Sequence, residues 1–132
     1  MIRFVLFFWL TINPITYIST INQVKEEAKI AYQQKNYLLA IQHYRSLTDE
    51  YSMDHPSLFL NLAHAYYQIR SFQQARYYYQ KVLAKGQASA VSTALNQLGL
   101  IEYGNGKREP ALRLFKQAIK KHPANNHAPL QL

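Results

Sequence analysis

The chain has 132 residues, a single-domain length, and carries 15 Lys and Arg against 7 Asp and Glu, a formal charge of +8. That balance favours acidic partners, anionic surfaces or nucleic acid. The absence of cysteine excludes a disulfide framework, thiolate metal sites, a cysteine nucleophile and an acyl anchor on cysteine.

The first element in chain order is an apolar leader. Arg3 supplies one positive charge, residues 4–12 are almost wholly apolar, and uncharged residues continue to Ile21. Charge followed by an apolar core is the order of a secretory signal. The core of residues 4–12 is short of the ~20 apolar residues that a spanning helix needs. Pro14 is expected to break or kink a longer helix. No A-x-A-like cleavage site follows, since residues 16–20 read Thr-Tyr-Ile-Ser-Thr. Two readings therefore stand for residues 1–20: a cleaved signal peptide, or a membrane anchor that stays attached. Both place the remainder outside the cytoplasm, in the periplasm or tethered to the inner membrane. A buried N-terminal helix is disfavoured, because Phe7, Phe8 and Trp9 would need a large receiving surface.

Self-similarity dominates the rest of the chain. Residues 28–47, 63–82 and 99–118 align on Ala40, Ala75 and Ala111, at spacings of 35 and 36. Ala28, Ala63 and Gly99 are small where one helix of a hairpin must approach the other. The central alanines are small for the same reason. Between them lie the turns Lys35-Asn36, Arg70-Ser71 and Gly106-Lys107, and Gly106 suits a left-handed helix C-terminus. Tyr37 and Phe72 follow the turn and can pack back over it. Tyr44, Tyr79 and Phe115 lie one helical turn beyond the central alanine, on the same face. Pro123 ends the last helix.

These columns resemble the tetratricopeptide repeat (TPR) family. Phe59, Leu62, Ala63, Tyr66, Phe72, Ala75 and Tyr79 match its pattern in the second repeat. Leu95, Leu98, Gly99, Gly106, Ala111, Phe115, Ala118 and Pro123 match it in the third. The first repeat departs from it, with Ala31 where Tyr is usual and Leu47 where Ala is usual. The resemblance implies an all-α fold, a right-handed superhelix of three helix-turn-helix hairpins over about 21–55, 56–91 and 92–125. Residues 126–132 then read as a truncated cap or tail. Extra residues over the family's period fall at Asp54-His55 and Gly86-Gln87, which read as lengthened turns.

Enzymatic constellations are missing from the sequence, and neither catalysis nor a cofactor is expected. There is no Gly-rich phosphate loop. The five histidines show no metal-binding spacing. The adjacent pairs Glu26-Glu27 and Asp49-Glu50 cannot face one another on a helix. The basic cluster Arg113, Lys116, Lys120 and Lys121 has no accompanying nucleic-acid motif, so a solvated helix face explains it better than nucleic acid does.

The resemblance also implies a partner-binding groove on the first helix of each hairpin. Its positions are Lys25, Lys29, Tyr32 and Gln33, then Leu60, Asn61, His64, Tyr67 and Gln68, then Asn96, Leu100 and Tyr103. Tyr32, Tyr67 and Tyr103 share one column, and could line the groove or pack between hairpins. Of the family's carboxylate-clamp positions this chain fills Lys25, Lys29, Asn61, Thr93 and Gln97. Only Lys25 and Asn61 match, so that clamp is not expected, though Lys29 would favour an acidic ligand. At the C-terminal end Leu112, Phe115 and Ile119 would be left bare by a missing capping helix. Either the sequence is a fragment, or a partner or second copy covers that face.

Three functions compete. The first is a non-catalytic scaffold holding a protein or peptide, and its layout looks like the exported bacterial aerotolerance (Bat-type) proteins. The second is a structural oligomerisation unit that self-associates through the third hairpin. The third is a nucleic-acid-binding repeat, against which an export leader argues.

Overall fold

A computed structural model describes residues 13–123, and every regular element in that range is helical. The helices are α1 (Pro14–Gln33), α2 (Tyr37–Asp49), α3 (Pro56–Gln68), α4 (Phe72–Lys85), α5 (Ala88–Gly104) and α6 (Arg108–Lys121). They pack as three hairpins, α1 with α2, α3 with α4 and α5 with α6. Successive hairpins meet through α2–α3 and α4–α5. The expected truncated cap, 126–132, lies outside the described residues.

Each hairpin turn is the same backbone motif. Lys35, Arg70 and Gly106 have φ of 60°, 62° and 77°. Their N–H groups donate to Tyr32, Tyr67 and Tyr103 carbonyls, and the next N–H reaches back to Ala31, Tyr66 and Glu102, all at 2.9 Å. That is a Schellman stop, which satisfies the last carbonyls of the helix. Gly106 adopts the left-handed conformation freely, whereas Lys35 and Arg70 pay for their Cβ atoms, at about 1–2 kcal/mol. Glycine loses about 0.5–1 kcal/mol more backbone entropy on folding. Lys35→Gly and Arg70→Gly should therefore each stabilise the fold by about 0.5–1 kcal/mol. Urea denaturation followed by circular dichroism checks this, and a loss of stability in both variants would count against the turn geometry.

The core is a column of small residues flanked by large ones. Ala28, Ala40, Ala63 and Ala75 are fully buried and Ala111 almost so. Gly99 is required by close approach: a Cβ there would stand 2.4 Å from the Phe115 ring. Leu47, Leu62, Tyr79 and Val82 supply the bulk. Ser92, also buried, donates to the Ala118 carbonyl at 2.9 Å and pins α5 to α6. Arg76 of α4 pairs with Glu102 of α5 at 2.6 Å and ties the second hairpin to the third.

Two boundaries differ from expectation. Pro14 opens α1 instead of breaking a helix: it sits at the first helical position, and the Asn13 side chain accepts the Ile15 N–H at 3.1 Å. The leader over 1–20 therefore does not stand wholly apart from the fold, because its last residues are the first turns of α1. Those turns make few contacts. Ile15 and Ile18 are exposed, and Tyr17 reaches Tyr51 with ring centroids 5.6 Å apart. The third hairpin likewise starts at Ala88, ahead of the expected 92.

Candidate functional site

A pocket of about 530 Å³ opens between α1 and α3, a size at which small-molecule and side-chain sites are built. Lys25, Lys29, Tyr32 and Gln33 line it from α1, and Leu58 and Asn61 from α3. Tyr44 and Leu47 of α2 form its floor, Met53 and His55 enter from the α2–α3 connection, and Ser57 from the first turn of α3. The connection is held in place by α3's own start. Pro56 is at the first position, and the His55 ring accepts the Ser57 N–H at 3.3 Å. Lys25 and Lys29 are exposed at the rim. Glu26 lies 3.6 Å from the Lys29 ammonium and offsets part of its charge. Burial pushes the Tyr32 hydroxyl above its usual pKa, with a hydrogen bond to Gln68 acting in the opposite direction.

Of the expected groove residues, Lys25, Lys29, Tyr32, Gln33 and Asn61 thus come together in one pocket. The others do not join it. Leu60 and Tyr67 pack against the core of the second hairpin. Leu100 and Tyr103 are exposed on α5, and Asn96 is half-buried there. The tyrosine column divides between its two expected uses. Tyr32 meets Tyr37 edge-on at 5.2 Å and Tyr67 meets Phe72 at 5.4 Å. Arg108 stands at the third equivalent position, and Tyr103 stays exposed. Met53, His55 and Ser57 were not among the expected residues, although the lengthened turn at Asp54-His55 was their signal.

Tetratricopeptide repeat family models match residues 25–90 and 91–122. The chain is a tetratricopeptide repeat protein. No curated protein is a match to it. TPR arrays suggest a protein-interaction scaffold, and the family is typically non-catalytic. Among the described residues no three His, Asp or Glu side chains cluster to hold a metal ion. Among them, too, no helix is long and apolar enough to cross a membrane.

His64 has a different role in this TPR protein from the one its groove position implied. Its Nδ1 is 2.8 Å from the Tyr79 hydroxyl, and the two rings meet edge-on at 5.5 Å. Tyr79 is fully buried, which pushes its pKa far up, so it stays a phenol and donates to the imidazole. Burial lowers the His64 pKa, and the folded state then binds fewer protons there than the unfolded chain does. The stability from His64 is complete above the unfolded value of about 6.5 and is lost as pH falls below it toward the folded value. The melting temperature of the parent should fall more steeply between about pH 7 and pH 5 than that of His64→Asn, which keeps an acceptor but does not titrate. Parallel pH profiles would remove His64 as the titrating group.

A second pocket of about 420 Å³, which shares Met53 with the first, is bounded by Asp49, Asp54, Phe59, Tyr77, Tyr78 and Lys81, among others. Tyr78 stacks on Tyr66 at 5.7 Å, and Tyr77, about half exposed, meets Tyr78 edge-on. The Lys81 ammonium sits over the Phe59 and Tyr77 rings at 5.0 and 5.2 Å. Asp54 pairs with Lys85, which holds its carboxyl below the usual range. Lys81 thus supplies the aromatic wall of this pocket with a cation from the chain itself. On α6, Leu112 and Ile119 are exposed and Phe115 is half-buried over Gly99.

Proposed function

We propose that this protein is a non-catalytic scaffold that holds a segment of a partner protein in the pocket between α1 and α3. The observation that carries the reading is the convergence of Lys25, Lys29, Tyr32 and Asn61 on one pocket. Two ammonium groups at the rim favour carboxylates on the partner, while Tyr32 offers contact area and a hydroxyl at little entropic cost. The charge-then-apolar order of residues 1–20 supports a site of action in the bacterial cell envelope. The exposure of Ile15 and Ile18 supports that reading, since the last leader residues contribute little to the hairpin.

The test is a labelled, extended peptide of about ten residues with alternating Asp and Tyr, beside a counterpart with Lys in place of Asp. The acidic peptide should bind the full chain, and Lys25→Glu/Lys29→Glu should weaken it about tenfold. Equal binding of both peptides, or indifference to the double substitution, would overturn the groove assignment. Attachment of alkaline phosphatase, active only outside the cytoplasm, checks the location: an inactive fusion counts against export.

A further inference from the structure

The two internal junctions of the array show how the outer face of a second helix is used. At the first, Ile41 and Tyr44 of α2 are buried in one cluster with Leu58, Leu62 and Ala65 of α3. At the second, Tyr79 of α4 is buried with Ala94, Leu98 and Ile101 of α5, and Leu83 packs against the same helix. Arg76 completes that junction through Glu102, a carboxylate brought by the covering helix. Leu112, Phe115 and Ile119 stand 36 residues after Arg76, Tyr79 and Leu83. They are therefore the same face of α6, yet Leu112 and Ile119 are 45% and 42% exposed.

We propose that this outer face of α6 is a docking site for an acidic amphipathic helix of a partner protein, seated where the first helix of a further hairpin would lie. A helix is indicated because a helix covers the same face at both internal junctions. The stripe itself has the i, i+3, i+7 spacing that a single helix matches. Acidity is indicated by the border. Arg108 heads the stripe one turn before Leu112, and Lys116 and Lys120 follow it along the exposed flank, with Arg113 beside them. All four are exposed, and none is in an ion pair among the described residues. A second copy fits less well. A two-fold pairing would set these cations against themselves, with Glu109 the one carboxylate that α6 could offer in return. Residues 124–132 contain no Asp or Glu to meet the border. The site shares no residue with the α1–α3 pocket, so the two proposals stand or fall separately.

The experiment uses the full chain and two labelled helical peptides of about 18 residues, long enough to span α6. Both carry the same leucine stripe; one has Glu and the other Lys at the flanking positions. Fluorescence anisotropy should show the Glu peptide binding at least about tenfold more tightly than the Lys peptide, and weakening as salt rises from about 0.05 to 0.3 M. Leu112→Ser/Ile119→Ser should weaken the Glu peptide about tenfold or more, while Lys25→Glu/Lys29→Glu should leave it bound. Should the serine pair lose helicity, Lys116→Glu/Lys120→Glu serves instead, and should reverse the preference between the peptides. Several results would overturn the proposal. One is Glu-peptide binding that ignores both α6 variants. Another is binding lost only with the groove variant. A third is α6-dependent capture by phosphatidylserine vesicles without peptide binding. The last is a concentration-dependent dimer that Leu112→Ser/Ile119→Ser dissociates.

Discussion

Tyr79→Ala is expected to cost about 3–5 kcal/mol, the range for truncating a large, fully buried aromatic side chain. Tyr79 is the largest side chain with no exposure. It lies in the cluster that joins α3, α4 and α5, with Phe59 and Ala63 on one side and Ala94 and Leu98 on the other. Its removal would leave a cavity bounded by three helices, each fixed by other contacts and unable to collapse fully. The consequence reaches beyond one hairpin. In a repeat array each unit is stabilised by its neighbours, so a weakened middle hairpin uncouples the first from the third. Tyr79→Phe separates the two contributions. It keeps the ring and removes the hydroxyl, leaving the His64 Nδ1 short of its partner, at about 1 kcal/mol because half-buried His64 can still reach water. Urea denaturation at neutral pH measures both. A Tyr79→Ala loss below about 1 kcal/mol would mean that the ring is not packed as described.

The alanine and aromatic columns were legible because the 35- and 36-residue spacings repeat the same packing demand three times. A small residue at each helix crossing and a large one a turn later leave a pattern that no single hairpin would reveal. Other features left no such trace. Lys35 and Arg70 adopt the left-handed conformation that Gly106 announces, but a lysine or arginine carries no sign of it, and only their alignment with Gly106 points there. The partnership of His64 with Tyr79 joins residues on two helices, and it depends on the rotation of α3 about its own axis, which a column alignment fixes only to within a side chain. Position on the first helix put His64 in the groove, whereas its actual angle turns it toward α4. Asn13-Pro14 is a helix start in plain sight, yet it was obscured by the apolar run before it, which read as a leader with Pro14 as its break. The pocket was half legible. Lys25, Lys29, Tyr32 and Asn61 follow from repeat position, while Met53 and His55 arrive from an irregular connection whose path periodicity cannot describe, and Ser57 from the helix start that the connection sets.

The α6 face follows from the same repetition by a different route. At both internal junctions the outer face of a second helix is buried by the helix that follows it. In this chain the internal positions carry an aromatic and a mixed set of neighbours, Ile41 or Arg76 before it and Thr48 or Leu83 after it. The third repeat carries Leu112, Phe115 and Ile119, apolar throughout, bordered by cations that make no ion pair among the described residues. Such a face is more strongly amphipathic than that of any earlier helix. Apolar area sets the affinity of a docked helix, and the cations set which helix docks.

Ala75→Trp is expected to cost about 3 kcal/mol or more, at or beyond the upper end of what overpacking a core costs. Ala75 is fully buried on α4, and Ala63 of α3, equally buried, belongs to the same cluster. The two small residues allow the helices to approach, and an indole at one of them must push the hairpin open or displace Tyr79, one turn away. Interiors are packed to crystal density, so neither movement is absorbed locally. Gln74→Trp is the control. It introduces the same side chain one residue earlier on the same helix, at an exposed position, and should change stability by no more than about 0.5 kcal/mol. The contrast between the two variants isolates position from residue type. Equal stability of Ala75→Trp and the parent would mean that the helices of the middle hairpin cross elsewhere. A collapse confined to Ala75→Trp, seen as loss of the 222 nm signal at a lower urea concentration, would locate the crossing at the alanine column. The equivalent Ala111→Trp should cost less, because among the described residues the extensive packing of α6 is against α5, which leaves α6 room to move outward.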